Sequence, residues 1–385
     1  MAAVADPPGR PGTMPGGYLA EFGEPPGYLD FARVGPPSRR VVAALAAAAG
    51  RVHAAQPGTL DQMDAGTAAA RQRAARLLGT CLDQVTLIPS TSAGLFAAAL
   101  GLPAGNVVVP AGEFPANRYP WVRAVAVRGG EVRWLAAPDG RVTADRVAEL
   151  VDRQTTAVVV SQVDHQTGFR PNLDTLREAA GDALLVVDAI QGLGAVRTTL
   201  EPADVLVSGG QKWLRAGFGS ALLACSARAL DRLQPVLSGW TGVEDTFELA
   251  HPTPQPALAG AERFSLTVFN PFAASALAAA LELVEETGIA AIEAAIAHRV
   301  RALELAVRWA GAEVLAPWRT PAERAGILSF RVPGWDPAEL VARLAAAGLV
   351  VSERGGWVRL APHATTPVEV ADWLADAVAP SPSAG

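Results

Sequence analysis

Short apolar runs, each followed by a polar tip and then a helical pattern, recur through the first half of the chain. They fall at 84–88, 106–109, 156–160, 183–187 and 204–207. These runs show little alternation of polar and apolar positions, which is typical of strands buried on both faces. Helical patterns at 63–78 and 144–151 lie between them. The order predicts a mostly parallel α/β sheet, with ligands bound beyond the carboxyl ends of its strands.

The pattern changes near residue 263. Helices are predicted at 271–287, 292–310, 338–347 and 368–378, with strands at 326–332 and 357–360. This mixture favours a smaller α+β domain. The predicted organisation is a flexible N-terminal tail (1–24), a large domain (25–262), a small C-terminal domain (263–379) and a disordered tail (380–385).

Composition narrows the function classes. Half of the 385 residues are hydrophobic, 18% are charged and the net charge is −6, which suits a large core and gives no basic footprint for nucleic acid. No apolar run long enough for a membrane span is found, and the Pro- and Gly-rich start lacks the pattern of a signal peptide. Cys81 and Cys225 form no disulfide framework or metal-ligand spacing, so we expect buried small side chains, no metal and a reducing, cytoplasmic setting.

One basic residue type is almost missing. Of the 32 basic residues a single one is lysine, Lys212, and the other 31 are arginines. Arginine can replace lysine on most surfaces, but a guanidinium cannot form an imine with an aldehyde. Lys212 is therefore a candidate for covalent chemistry. The alternative is that one lysine persists by chance.

Polar side chains follow several of the predicted strands. Ser90, Thr91 and Ser92 stand between a strand and a helix, where hydroxyls and free amides bind anions such as phosphate, although simple helix capping is the alternative. Ser208 and Gln211 offer donors for the same phosphate from a second loop.

Asp188 ends a fully apolar run. A carboxylate there is costly to bury without a partner, and a protonated ring nitrogen would satisfy it; a helix cap or an arginine would do so too. Gln191, three residues later, is placed to hydrogen-bond a phenolic oxygen on such a ring.

Three further residues are candidates for the site. Phe114 could lie on a flat cofactor or simply pack in the core. His165, at another strand end, could contact the ring oxygen or relay protons, or serve a structural hydrogen bond. Arg359 could clamp a substrate carboxylate or stand in solvent.

Together these residues resemble the class V aminotransferase group of pyridoxal-phosphate (PLP) enzymes. That group includes cysteine desulfurases, cystine C–S lyases, kynureninases, isopenicillin-N-epimerase-like proteins and ergothioneine-pathway C–S lyases. The resemblance runs from about Tyr28 to about Trp373. Its most specific segments are Val187-Asp188-Ala189-Ile190-Gln191-Gly192 and Ser208-Gly209-Gly210-Gln211-Lys212-Trp213-Leu214. It implies the fold of fold-type I PLP enzymes and a homodimer with the site at the subunit boundary, reached by residues 239–242 and 263–270.

The resemblance also implies a role for each candidate residue. Lys212, Asp188 and His165 are the implied catalytic residues, with Lys212 as the Schiff-base lysine and Asp188 as the partner of the pyridine nitrogen. Gln191 approaches the phenolic oxygen, Phe114 stacks on the ring, and His165 matches a position near the ring. Thr91, Ser92, Ser208 and Gln211 hold phosphate, Gln211 standing where many relatives have histidine. Arg359 and Asn117 bind the substrate, an amino acid.

One departure from the family bears on the reaction. Cysteine desulfurases carry a catalytic cysteine on a loop ahead of the carboxylate-binding arginine, and residues 350–359 contain none. We therefore expect β-elimination from a cysteine-type substrate or S-conjugate. Amino-group transfer to a 2-oxo acid, epimerisation, decarboxylation-linked chemistry and PLP binding without turnover are the alternatives.

Overall fold

The computed structural model describes residues 14–248, 253–316 and 318–379. Within these residues the strands form two sheets. The larger has seven strands: β1 (Val85–Ile88), β2 (Asn106–Pro110), β3 (Val132–Leu135), β4 (Thr155–Ser161), β5 (Leu184–Asp188), β6 (Val205–Gly209) and β7 (Ala221–Cys225). The smaller has four: β8 (Glu313–Val314), β9 (Leu328–Arg331), β10 (Ser352–Arg354) and β11 (Trp357–Leu360).

The larger sheet has the order β1-β7-β6-β5-β4-β2-β3. The neighbours from β6 to β3 pair in parallel, whereas β7 is antiparallel to both β1 and β6. Every residue of β2, β5, β6 and β7 is buried, as expected for strands covered on both faces. Each of the five predicted strand runs overlaps a strand of this sheet.

Helices cover both sheets. In chain order they are α1 (Gly16–Leu19), α2 (Arg39–Ala54), α3 (Thr59–Leu78), α4 (Thr91–Gly101), α5 (Tyr119–Arg128), α6 (Ala144–Ala148), α7 (Leu173–Ala179), α8 (Ala227–Arg232), α9 (Pro271–Thr287), α10 (Ile289–Trp309), α11 (Pro337–Ala346) and α12 (Val370–Val378). Gly288, at φ +83°, separates α9 from α10 in a backbone conformation that favours glycine. The predicted fold class, a mostly parallel sheet followed by a smaller α+β part, is confirmed.

The smaller sheet is antiparallel throughout, in the order β10-β11-β9-β8. It joins the N-terminal segment through isolated bridges between Tyr28 and Val350 and between Asp30 and Ala361. Residues 1–13 of the predicted N-terminal tail, and the whole of the predicted C-terminal tail, lie outside the described residues. Met14 and Tyr18, which follow residue 13, are buried at 4% and 6% exposure.

None of the helices in the described ranges combines the length and the apolar character that a membrane crossing needs.

Candidate active site

The carboxyl ends of the parallel strands surround a cavity of about 250 Å³. Nine predicted site residues line it: Thr91, Ser92, Phe114, His165, Asp188, Gln191, Gln211, Lys212 and Arg359. A larger cleft of about 600 Å³ lies beside Arg170 and Glu323, but its lining has no lysine, cysteine or histidine. The smaller cavity is therefore the candidate site, because it holds the groups capable of covalent and acid–base chemistry.

Lys212 and Asp188 are the central charged pair of the cavity. Lys212 follows β6 and is half-buried, whereas Asp188 ends β5 at 2% exposure. Burial lowers the pKa of Lys212 to about 8, opposed by Asp188 and assisted by Arg359 and Arg354. Burial raises the pKa of Asp188 to about 6, opposed by the hydrogen bond from the Ile190 amide and by Lys212. Each group is thus less charged than in water, which suits an amine that must react.

A second part of the cavity offers donors that could bind an anion. Ser90 caps α4 by accepting a hydrogen bond from the amide of Ala93 at 3.2 Å, and Thr91 and Ser92 begin the helix. The hydroxyl of Thr91 is buried and has no hydrogen-bond partner in the structure. A Cβ added at Gly209 would lie 2.2 Å from Oε1 of Gln211 and 3.1 Å from Oγ1 of Thr91. The loop after β6 therefore approaches α4 closely enough to share one ligand.

Two rings form one wall. Phe114 lies beyond β2 and His165 beyond β4, with ring centroids 5.4 Å apart in an edge-on arrangement. Nζ of Lys212 lies 5.8 Å from the Phe114 centroid, and Phe114 keeps 42% of its surface exposed. Burial lowers the pKa of His165, opposed by Asp164 and assisted by Arg359 and Lys212. This wall presents an open aromatic face beside the amine.

Arg359 reaches the cavity from β11 of the smaller sheet. Its guanidinium donates to the carbonyl of His165 at 2.9 Å and pairs with Asp30 at 3.3 Å, while its Nε is buried without a partner. Ser352 supports Asp30 with a hydrogen bond of 3.0 Å. Arg359 is only 3% exposed, so the predicted alternative of a solvent-exposed side chain is wrong. A buried, oriented guanidinium with an unused donor fits a carboxylate-binding role.

Three predicted residues have different surroundings from those expected. Gln191 lines the cavity, but its amide donates to the Ala32 carbonyl and accepts from Nε1 of Trp213. Ser208 and Asn117 do not line the cavity. Ser208 is buried and donates to the Gly209 carbonyl, and Asn117 is buried and accepts from Nε1 of Trp121. The predicted contacts of Ser208 with phosphate and of Asn117 with substrate stay predictions.

Sequence reasoning missed two cavity arginines and one buried acid. Arg33 and Arg354 line the cavity from the N-terminal segment and from the β10–β11 hairpin. The Gly-Gly pair after Arg354 is a turn signal that could have placed this arginine beside Arg359. Glu113 accepts hydrogen bonds from the amide and hydroxyl of Ser161, and burial raises its pKa to about 7. No local signal identified Glu113, because its burial depends on the neighbouring strand β4.

Neither cysteine lines the cavity. The prediction of a buried side chain is wrong for Cys81, which is exposed ahead of β1. Cys225 is buried at the end of β7, where burial raises its thiol pKa to about 12. Within the described ranges no group of three or more His, Cys, Asp or Glu side chains could hold a metal ion. The cavity lining supplies an amine, a carboxylate, an imidazole and guanidinium groups.

The donor set fits pyridoxal phosphate. The unpartnered hydroxyl of Thr91 and the start of α4 suit the phosphate, and the buried carboxylate of Asp188 suits a protonated ring nitrogen. The half-buried amine of Lys212 suits the aldehyde, and the exposed face of Phe114 suits the ring.

Comparison with known proteins identifies relatives along most of the chain. The family model described as aminotransferase class V matches residues 28–365. A kynureninase from Deinococcus radiodurans is 31% identical over 290 residues, which cover 72% of this chain and 68% of that protein.

Two solved structures share the fold. A cysteine desulfurase from Thermococcus onnurineus NA1, solved in its apo form, has a TM-score of 0.81 at 21% identity and covers 91% of this chain and 92% of its own. The cystine C–S lyase C-DES, in complex with its reaction product cysteine persulfide, has a TM-score of 0.83 at 19% identity and covers 92% and 98%. The expected fold-type I architecture is confirmed by these likenesses.

Proposed function

The chain belongs to the aminotransferase class V family of pyridoxal-phosphate enzymes, and from this premise we propose that it eliminates the Cβ substituent of a cysteine-type amino acid. The proposed products are pyruvate, ammonia and the released sulfur compound, which is a thiol from a cysteine S-conjugate and a persulfide from cystine. The observation that carries the proposal is a cavity with one reactive amine, Lys212, and no thiol in its lining. A thiol there would be needed to accept sulfur as a persulfide.

The cofactor would be held by residues from both ends of the cavity. Lys212 would bind it covalently, Asp188 would accept a hydrogen bond from the ring nitrogen, and Thr91, Ser92 and Gln211 would hold the phosphate. When bound, PLP supplies an electron sink that stabilises negative charge at the substrate Cα. Asp188 would strengthen that effect by keeping a proton on the ring nitrogen, because the buried carboxylate has only the Ile190 amide as an opposing donor.

Substrate orientation falls to Arg359. Its guanidinium already donates to the His165 carbonyl, so it is fixed in place before the substrate arrives. A carboxylate bound there would direct the Cα–H bond toward the amine of Lys212. Burial lowers the pKa of Lys212, which favours the free-base form that can take up a proton.

The reaction then needs a single proton removal and a bond cleavage. Lys212 takes the Cα proton, and the electron pair of that bond expels the Cβ substituent. The thiolate leaves and takes up a proton, and the three-carbon fragment is released as 2-aminoacrylate. Water converts 2-aminoacrylate to pyruvate and ammonia. No external oxidant or acceptor is required.

The test is pyruvate release from L-cystine and from cysteine S-conjugates, with no 2-oxo acid added. We expect turnover by the PLP-loaded protein and none by Lys212→Ala loaded in the same way. Arg301→Gln, on the exposed face of α10, is the matched control and should behave as the parent protein. Turnover only after addition of a 2-oxo acid would overturn elimination in favour of amino-group transfer.

A second candidate is cleavage of the Cβ–Cγ bond of kynurenine. The likeness to the kynureninase of Deinococcus radiodurans supports it, as does 27% identity over 266 residues to a kynureninase from Myxococcus xanthus. The same residues would bind the carboxylate and take the Cα proton, with water attacking the side-chain carbonyl. Release of anthranilate and alanine from L-kynurenine, without pyruvate from any S-conjugate, would establish this candidate instead.

The proposal includes a homodimer. Large apolar side chains are exposed along the segments predicted to reach across, among them Val268, Trp240 and Leu266 at 55%, 46% and 40% exposure. Residues 264–270 also border an apolar cavity of about 260 Å³ with β1 and α4. Burial against a second copy would remove this surface from water. Light scattering of the eluted protein should give twice the chain mass, and a monomer would contradict the dimer.

Both cysteines are free thiols in the structure, as a reducing, cytoplasmic setting would require. We include that setting in the proposal, and fractionation of the producing cell would test it.

A further inference from the structure

The cavity carries more positive charge than the proposed cofactor and a simple amino acid use. Its charged lining residues are four basic groups, Arg33, Lys212, Arg354 and Arg359, and one acidic group, Asp188. Lys212 and Asp188 are assigned to the cofactor, and Arg359 to the α-carboxylate. Two arginines remain without a role.

These two arginines differ from Arg359 in their surroundings. Arg359 is buried and held by Asp30 and by the His165 carbonyl. Arg33 and Arg354 are exposed at the cavity wall. Among the described residues, their side chains have no hydrogen bond, ion pair or aromatic contact. Their donors are free to meet a ligand.

The backbone beneath Arg354 is well supported. Arg354 ends β10 opposite Trp357, and the hairpin turns through Gly355 and Gly356 at φ +56° and +81°. Nε2 of Gln166, from the loop after β4, donates to the Arg354 carbonyl at 3.1 Å. This hydrogen bond attaches the turn to the loop after β4. It thereby holds the backbone of Arg354 beside the cavity.

Arg354 is near the reacting groups. Burial and Asp188 have the largest effects on the pKa of Lys212, and the charges of Arg359 and Arg354 lower it further. The charge of Arg354 also lowers the pKa of His165 and of Arg359. Arg33 acts on Arg359 as well. Two free guanidinium groups thus lie within electrostatic range of the position where the substrate would bind.

We infer that Arg354, assisted by Arg33, binds an anionic group at the far end of the substrate side chain. The substrate class is then an amino acid with two negative groups: the α-carboxylate at Arg359 and a side-chain carboxylate, sulfonate or similar anion at Arg354. The inference rests on the proposed function, because it takes the α-carboxylate to lie at Arg359. An uncharged aryl side chain, as in kynurenine, leaves both guanidinium groups unused.

The test compares ligands that differ only in this charge. S-Carboxymethyl-L-cysteine and S-carbamoylmethyl-L-cysteine have nearly the same shape, as do L-glutamate and L-glutamine. Dissociation constants are measured on the PLP-loaded protein from the change in cofactor absorbance, which needs no turnover. We expect the anionic member of each pair to bind about tenfold more tightly, corresponding to about 1.4 kcal/mol.

Variants assign that preference to residues. Arg354→Gln should reduce the ratio of the two dissociation constants to about one, and Arg354→Lys should restore part of it. Arg33→Gln should have a smaller effect than Arg354→Gln. Arg301→Gln, exposed on α10, should keep the parent ratio. Added salt should weaken the preference, because exposed charges are screened.

Three results would overturn the inference. The first is equal binding of the acid and amide members of both pairs, including the case in which neither member binds. The second is a preference that survives in Arg354→Gln. The third is an equal loss for acid and amide together with weaker PLP binding in Arg354→Gln, which would assign Arg354 to the cofactor phosphate.

The outcomes separate this inference from the proposed function. If no S-conjugate yields pyruvate but the acid member of each pair still binds more tightly, elimination fails and the anion subsite stands. If pyruvate forms at equal rates and affinities from acid and amide conjugates, elimination stands and the subsite fails.

Discussion

Lys212 and Arg215 stand three residues apart on the loop after β6, and their surroundings are opposite. Arg215 is 2% exposed and pairs with Glu24, donates to Pro36 and Thr365, and stacks 3.6 Å from the Phe22 ring centroid. Lys212 is half-buried, and the described part of the structure gives its side-chain amine no hydrogen bond or ion pair. One loop therefore carries a fully satisfied cation and an unsatisfied one.

The difference separates structure from reactivity. Burial lowers the pKa of Arg215, but its bond with Glu24 opposes this shift, so the guanidinium is a fixed charged anchor. Burial lowers the pKa of Lys212 to about 8, and Asp188 opposes the shift only through space. A satisfied charge locks the loop to the N-terminal segment, which holds the unsatisfied amine in the cavity.

The largest expected effect is on Lys212. Lys212→Ala should lower kcat by roughly 10³-fold or more, because it removes both the covalent attachment point and the proposed base. Borohydride reduction of the PLP-loaded protein, followed by peptide mass analysis, should place the label on Lys212 in the parent chain and nowhere in the variant.

The matched variants test whether position or charge matters. Lys212→Arg keeps the charge but should give no label, since a guanidinium forms no stable imine. Arg215→Lys adds a second amine three residues away, and the label should still be found at residue 212 alone. A label at residue 215 would show that an amine at that position also reaches the cofactor, and that the difference between positions 212 and 215 is smaller than the structure indicates.

Glu24 carries the next effect, on folding. Glu24→Gln leaves the buried guanidinium of Arg215 without its carboxylate, which typically costs about 3–5 kcal/mol. Urea unfolding of the apo-protein should show the loss. Glu286→Gln, in the exposed pair with Arg40, should cost at most about 1 kcal/mol. Equal losses in the two variants would mean that the Glu24–Arg215 pair is no more important than a surface contact.

The reactive residues Lys212 and Asp188 could be predicted from the sequence, whereas the anchoring pair of Arg215 and Glu24 could not. Lys212 is the single lysine, and Asp188 ends an apolar run, so composition and local pattern identify both. Arg215 is one of 31 arginines, and its partner Glu24 is 191 positions away in the chain. No local pattern connects two residues at that separation.

The same limit explains the residues whose surroundings were not expected. Asn117 follows β2 and a Phe-Pro pair along the chain, but its side chain is buried and accepts a hydrogen bond from Trp121 of α5. Arg354 was missed because β10 has only three residues and gives no strand signal. The main strands of the larger sheet were predictable because apolar runs of that length leave few alternatives.

The burial of Asp188 can be tested through the pH dependence of the stability of the apo-protein. Its pKa in the folded chain, about 6, lies above the ordinary value of 3.8, so the unfolded chain ionises first as the pH rises. Asp188 should therefore contribute a loss of apo-protein stability between about pH 4 and pH 6, on the order of 3 kcal/mol. Asp188→Asn lacks this loss and should be the more stable apo-protein at pH 8, but not at pH 4.

Loading with PLP should make the parent chain more stable than Asp188→Asn at pH 8, the reverse of the order expected for the apo-proteins. A protonated ring nitrogen would satisfy the carboxylate of the parent chain but not the amide of Asp188→Asn. The rise in melting temperature on loading should thus be larger for the parent. If both apo-proteins respond equally to pH, Asp188 is already satisfied without the cofactor.

The smallest expected effect is at Phe114, an aromatic residue that is neither a buried anchor like Arg215 nor a reactive group like Lys212. Its ring contacts His165 edge-on at 5.4 Å and leaves a face open, so a flat cofactor would add a second ring contact. Such contacts contribute about 0.5–1.5 kcal/mol, and Phe114→Leu should weaken PLP binding by roughly twofold to tenfold in equilibrium dialysis. Trp309→Leu, exposed on α10, should leave the affinity unchanged. Unchanged affinity in Phe114→Leu would mean that the ring supports His165 rather than the cofactor.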